Sequence, residues 1–320
     1  MKSLGGFLEL ETNLNTEYHS GLLRFNSGRN ALKVLLHSVD ANKIFVPYFI
    51  CQVVIDAIKE FPIEIEYYEI DDNFEIDFGK KMIPTDAWVI CVNYFGIKQE
   101  YIKSLSFANL IIDNSQAFFS KPIPSNHTFY SPRKFLGVPD GGYLSTSVEI
   151  KSNYPQDNSN ERFSHLLKRV ELGPEKAYLD FLKNEDLISE MKVLKMSKLT
   201  SKILNSVCTD TIINRRKENY KIYDSLLKEH NICQLSIHEN DVPLGYIFVS
   251  KKKKKKKKKN LRQILLQNKV YVPVYWPNLN TEFGENSLAH KLSEKLYCLP
   301  IDQGLDINDI NKISNLILKA

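Results

Sequence analysis

Leu110-Ile111-Ile112-Asp113-Asn114-Ser115-Gln116 is the stretch on which the fold turns. Three aliphatic residues in a row, followed at once by polar ones, mark a short strand buried on both faces. The strand ends in a carboxylate, Asp113, which is costly to bury unless something pairs with it. A protonated heterocyclic nitrogen would be such a partner. Gln116, three residues on, could hydrogen-bond the same ligand. A plainer reading stands beside this one, in which Asp113 caps the next helix.

Outward from this strand, similar segments alternate with helix-length spacers. Lys43 to Val46 is a short apolar run ended by Pro47. A helical stretch, Val53 to Glu60, leads to strands at Ile63 to Ile70 and Ala87 to Asn93. On the other side lie Thr128 to Tyr130 and Gly142 to Thr146. This alternation predicts an α/β fold with a mostly parallel sheet. Ligands of such sheets sit beyond the carboxyl ends of the strands. Arg162 to Glu229 reads as mainly helical. A smaller α+β block follows, with strands expected at Tyr246 to Ser250 and Val270 to Val274. Its helices are expected at Asn260 to Gln267 and Ile307 to Leu318. The boundary falls inside or just after the helix at Asn214 to Glu229, giving a large domain of residues 1–222 and a small domain of residues 223–320.

Three more segments fall at strand ends or helix starts. Ser27-Gly28-Arg29-Asn30-Ala31-Leu32 opens a helix, with Ser27 as N-cap and Gly28 letting backbone approach a ligand. Free N–H groups at such a start favour a phosphate. Tyr130-Ser131-Pro132-Arg133-Lys134 runs into the loop Gly137-Val138-Pro139-Asp140-Gly141-Gly142. A lysine held by a tight loop suits Schiff-base chemistry, which needs an amine tuned by its surroundings. Ser131, three residues earlier, could reach a phosphate. Val92-Asn93-Tyr94-Phe95-Gly96 ends a strand with groups that could flank a flat ring. Taken singly, these are also a capped helix, a basic loop and core packing. Together they offer a phosphate cradle, a carboxylate for a pyridinium, a loop lysine and a ring-flanking strand end. That set matches what pyridoxal 5′-phosphate requires.

Composition narrows the alternatives. The chain has 320 residues, 43% hydrophobic and 25% charged, as expected of a soluble globular protein. Its formal charge is +5, but the nine residues Lys251 to Lys259 carry nine positive charges, and without them the rest stands at −4. One such run, with no interleaved aromatics, is a weak nucleic-acid signal. It reads as a solvated turn and helix start, so no nucleic-acid partner is expected. No apolar stretch approaches the ~18 residues of a membrane span, and Met1 to Leu10 lacks a secretory pattern. Five cysteines, none in a Cys-x-x-Cys pair, speak against a disulfide scaffold or a zinc site. A reducing cytoplasm fits best, and no metal is expected.

With these motifs in order, the chain resembles the DegT/DnrJ/StrS family of pyridoxal-phosphate-dependent sugar aminotransferases, which have fold type I. That family carries a Ser-Gly-Thr-x-Ala-Leu segment, an Asp-x-x-Gln or Asp-x-x-His strand end, and a lysine before a Gly-Asp/Glu-Gly-Gly loop. Here these read Ser27 to Leu32, Asp113 to Gln116, and Lys134 before Asp140-Gly141-Gly142. Arg215-Arg216 to Tyr220 resembles the family's basic linker helix. Val274-Tyr275-Trp276-Pro277 and Leu299-Pro300-Ile301 resemble its late motifs, so the likeness runs from about Gly5 to Ile317.

The resemblance implies an aminotransferase-like large domain and a smaller α+β C-terminal domain. It implies that Lys134 bonds to the cofactor and shuttles a proton between the donor Cα and the cofactor C4′. Asp113 would hold the pyridine nitrogen protonated. Gln116 would contact the ring hydroxyl, and Gly28 and Arg29 would bind phosphate through backbone N–H groups. The implied reaction moves an amino group from an amino acid such as glutamate to a keto sugar, nucleotide-linked, for surface polysaccharide. The implied assembly is a homodimer. Dehydratase relatives use His where Lys134 stands, which argues against them. Some positions depart from the family: Arg29 replaces Thr, Phe129 stands where the family's serine lies, and Cys51 replaces an aromatic. Tyr48 or Phe49 would then cover the ring. The family's Gly-x-Asn-x-Arg segment has no clear counterpart between Val170 and Arg215. A competing class is a non-catalytic or regulatory relative that kept the cofactor scaffold.

Overall fold

The computed structural model describes residues 6–13, 15–251, 260–276 and 288–320, the side chains of 288–290 excepted. Gly5, Lys252 to Lys259 and Pro277, singled out above, lie outside the described residues.

The runs that read as buried strands form one sheet. Its members are β1 (Leu23–Phe25), β2 (Lys43–Pro47), β3 (Glu64–Tyr68), β4 (Trp88–Val92), β5 (Asn109–Asn114), β6 (His127–Tyr130) and β7 (Gly142–Ser145). They lie in the order β1-β7-β6-β5-β4-β2-β3. Strands β2 to β6 are mutually parallel, whereas β7 runs antiparallel to both β6 and β1. The register sets Val92 opposite Asp113, and Asp113 opposite Phe129. Parallel strands bring their carboxyl ends to one edge. Because β7 is reversed, its first residue, Gly142, arrives at that same edge.

Helix α1 (Gly28–Ser38) buries Ala31, Leu32, Val34, Leu35 and Leu36. Helix α2 (Gln52–Lys59) buries Val54, Ile55, Ala57 and Ile58. A short α3 (Gln99–Lys103) follows β4. Beyond the sheet, α4 (Ser164–Leu172) and α5 (Pro174–Glu190) form a hairpin. Helices α6 (Lys198–Leu204) and α7 (Thr209–Leu227) come next, and α7 passes residue 222 without a break.

Strands β8 (Tyr246–Phe248) and β9 (Tyr297–Leu299) pair antiparallel in a second sheet. They share a core with α7, α8 (Leu261–Gln267) and the C-terminal helix Ile307–Lys319, built on Tyr223, Leu227, Leu265, Ile310 and Ile313. The two cores interlock, since Ile247 and Cys298 belong to the main one. Val270 to Val274, expected as a strand, is not one. The Val272 and Pro273 carbonyls there accept hydrogen bonds from Arg262 at 3.1 and 3.3 Å, in place of a neighbouring strand. No helix among the described residues is long and apolar enough to cross a membrane.

Candidate active site

The edge where the strands end is built around the start of α1. Ser27 is the N-cap, and its hydroxyl accepts the Asn30 amide at 3.1 Å. The N–H groups of Gly28 and Arg29 have no partner inside the helix and carry the positive end of its dipole. Gly28 lies directly against the end of β6. A Cβ there would sit 3.1 Å from the Tyr130 carbonyl oxygen and 3.6 Å from the Ser131 Cβ. The helix start and Ser131 are therefore neighbours. The Arg29 guanidinium is engaged elsewhere, donating to the Ser189 carbonyl. Its contribution at this edge is its backbone.

The loop after Lys134 is fixed from below. Asp140 is fully buried and accepts from the Ser197 amide at 2.8 Å, from the Ser197 hydroxyl at 2.9 Å and from the Thr200 hydroxyl. It therefore anchors the loop to α6. Arg133 pairs with Glu185. Phe135 lies under the buried Arg216 guanidinium, 4.6 Å from its ring centroid. Burial draws the Arg216 pKa down to about 10.

Between these supports, Lys134 ends a 3-10 turn, Pro132–Lys134, and is exposed. Its Nζ donates to the Ser115 hydroxyl at 3.2 Å. The Ser115 amide in turn donates to Asp113 Oδ1 at 2.8 Å. Asp113 is buried, and burial pushes its carboxyl up. The Lys134 charge and the Ser115 hydroxyl and amide pull it back down. Gln116 is buried behind this group. Its Oε1 accepts the Phe95 amide at 2.9 Å, while its Nε2 has no hydrogen-bond partner among the described residues.

The aromatic groups fall differently. Tyr94 and Phe95 are buried in the core. Phe49 is enclosed as well, with ring centroids 5.8 Å from Tyr94 and 4.4 Å from Trp276. Tyr48 stacks on Tyr67 at 5.1 Å. Core packing describes these four.

Sequence reasoning gave no role to Ser115 and read Arg216 only as part of a linker helix. Each acquires its place from contacts with the lysine loop, which no local pattern announces.

A solved structure of a DegT DnrJ EryC1 StrS aminotransferase from Brucella abortus superposes on this chain with a TM-score of 0.57. The match covers 93% of this chain and 85% of that one at 14% identity. The chain has the sugar-aminotransferase fold. Helicobacter pylori PseC, an aminotransferase involved in the biosynthesis of pseudoaminic acid, matches with a TM-score of 0.62 at 16% identity, covering 93% of this chain and 86% of its own. DesV from S. venezuelae matches with a TM-score of 0.64 at 16% identity, over 93% and 84%. No family model and no curated protein matches the sequence, so the likeness is one of three-dimensional structure. In this aminotransferase fold, Lys134, Asp113, Gln116, Ser131 and the start of α1 occupy one edge of the sheet.

Proposed function

We propose that the chain is a pyridoxal 5′-phosphate-dependent aminotransferase. It takes an amino group from an amino acid, glutamate in the first instance, and passes it to a keto sugar. We read that sugar as nucleotide-linked and destined for surface polysaccharide. The observation that carries this reading is the chain of contacts from Lys134 through Ser115 to Asp113 at the edge where α1 begins.

The residues fit the cofactor. The N–H groups of Gly28 and Arg29, with the Ser131 hydroxyl, would hold the phosphate. Asp113, a buried carboxylate in want of a cation, would hold the ring nitrogen. The unpartnered Nε2 of Gln116 would donate to the ring hydroxyl. The bound cofactor supplies an electron sink for bond breaking at the donor α-carbon. Lys134 would move the proton, taking it at Nζ from that carbon. Asp140 ties the loop that follows Lys134 to the start of α6.

We place the enzyme in the cytoplasm as a homodimer, without a nucleic-acid or membrane partner. The α4–α5 hairpin supports a subunit interface, because Leu167, Val170, Leu172 and Leu179 stand exposed on it.

The test is spectroscopic. Purified protein given pyridoxal 5′-phosphate should show a visible absorption band that glutamate bleaches. Lys134→Ala should abolish both the band and turnover, and normal turnover in that variant overturns the reading. A band that no amino donor bleaches marks the cofactor-binding relative without transfer.

A further inference from the structure

Ser115 stands between the two charged groups of the site, and none of the roles given above uses it. Lys134 and Asp113 make no direct ion pair, and both contact the serine. Its hydroxyl is the acceptor for Lys134 Nζ at 3.2 Å. The serine thus meets the lysine through its hydroxyl and the acid through its backbone amide.

The serine is held in place from the acid side. Its amide donates to Asp113 Oδ1 at 2.8 Å, a turn that an aspartate makes with the backbone two residues on. The Ala117 amide then closes the turn onto the Asn114 carbonyl at 2.9 Å. Ser115 is half-buried, whereas Lys134 is exposed. An exposed lysine needs no protein acceptor, since water solvates its ammonium. Its contact with Ser115 therefore reflects position more than a need for solvation.

We propose that Ser115 is a positioning residue: its hydroxyl receives the Lys134 amine whenever that amine is not bonded to the cofactor, and keeps it beside Asp113. This rests on the reading of Lys134 as the cofactor lysine. The four-carbon lysine stem would otherwise sample many rotamers in solvent each time it is released. Held on Ser115, Nζ waits next to the carboxylate that grips the ring nitrogen. The Lys134 charge held there helps keep that carboxyl ionised.

The test uses Ser115→Ala and Ser115→Thr, the second keeping the hydroxyl. In the cofactor-free protein, trace acetic anhydride labels amines according to how free they are. Labelling of Lys134 is read by peptide mass spectrometry against that of the exposed Lys59. Ser115→Ala should raise Lys134 labelling roughly three- to tenfold, the scale of one lost hydrogen bond, while Ser115→Thr keeps the wild-type value. In the loaded enzyme, Ser115→Ala should lower kcat and leave the KM for the donor unchanged. Wild-type labelling of Lys134 in a folded Ser115→Ala protein overturns the proposal. A wild-type protein that takes up no pyridoxal 5′-phosphate sinks the functional reading instead, and the labelling of the bare protein separates the two failures.

Discussion

Gly142 and Ser27 leave no room for a side chain between them. A Cβ built on Gly142 would lie 2.2 Å from the Ser27 carbonyl carbon and oxygen and 2.5 Å from the Gly28 nitrogen. All three atoms are backbone, so none can swing aside. The contact fixes where α1 begins relative to β7, and so where the helix presents its N–H groups. Gly142→Ala should cost roughly 3 kcal/mol, the upper range for overpacking, and should abolish cofactor uptake. Gly28→Ala meets the Tyr130 carbonyl at 3.1 Å, a contact that gives by a few tenths of an ångström. It should cost about 1 kcal/mol. Urea unfolding midpoints check the pair, and equal losses would contradict the account.

His19 should make stability depend on pH. The ring is buried, with centroids 5.0 Å from Phe118 and 4.4 Å from Tyr130. Its Nε2 lies 2.6 Å from the Phe118 carbonyl, a contact that needs the proton on that nitrogen. Burial drives the pKa from 6.5 down to about 4, although the Phe118 carbonyl opposes the fall and Lys121 adds to it. Unfolded, the ring takes a proton near 6.5. Between those values the unfolded chain binds a proton that the folded chain refuses. Stability from this residue is therefore full above pH 6.5 and lost as pH falls towards 4, on the order of 3 kcal/mol in all. His19→Gln keeps an N–H donor and does not titrate. Subtracting its urea midpoints from those of the wild type, from pH 4 to 7, should isolate the slope. No difference in slope refutes the assignment.

The strands that could be read in advance are those whose burial is written into an unbroken apolar run. Leu110 to Ile112 and Val89 to Val92 are of this kind. Leu23–Phe25 and Tyr297–Leu299 are three residues each, too short to show a period, and they are strands because a partner lies beside them. Val270 to Val274 fails for the converse reason, since it has the composition of a strand while its carbonyls go to Arg262. Asp113 and Lys134 could be picked out because parallel strands gather their ends, so the topology alone brings them near. The role of Ser115 could not, because it depends on how a loop 19 residues away closes over it. Tyr94 and Phe95 looked like ring-flanking groups, yet the strand end turns them into the core.

Gln116 holds two jobs that mutation can separate. Its Oε1 satisfies the Phe95 amide, and Phe95 sits at φ 56°, an unusual conformation for a bulky residue. Gln116→Ala leaves that buried N–H without an acceptor, which should cost about 1–3 kcal/mol. Gln116→Glu keeps an acceptor for Phe95 but removes the N–H groups that would donate to the ring hydroxyl. A carboxylate buried without a cation is costly, so the advantage of Gln116→Glu over the alanine variant should show at acidic pH, where the carboxyl is protonated, while at pH 7 it should bind pyridoxal 5′-phosphate weakly. Melting temperature and cofactor titration, read side by side, test the separation. Tight binding by Gln116→Glu would remove Gln116 from the site.

Asp113→Asn links the energetics of the bare protein to the chemistry. Burial raises the Asp113 carboxyl above its ordinary value of 3.8, more than Lys134 and Ser115 lower it. The folded state thus keeps this proton longer than the unfolded chain does. Its contribution to stability is greatest below the ordinary value and falls as pH rises through the raised one. The asparagine variant lacks that loss, so the bare variant should match or exceed the wild type at pH 7 by urea unfolding. A ring nitrogen bearing a proton would supply the missing cation. Pyridoxal 5′-phosphate should therefore raise the melting temperature more in the wild type than in Asp113→Asn. The same missing charge should slow the bleaching of the visible band by glutamate roughly 10²- to 10³-fold, the scale of one lost electrostatic contact at a reacting centre. A variant with the wild-type melting shift and the wild-type rate would show that Asp113 does not face the ring nitrogen.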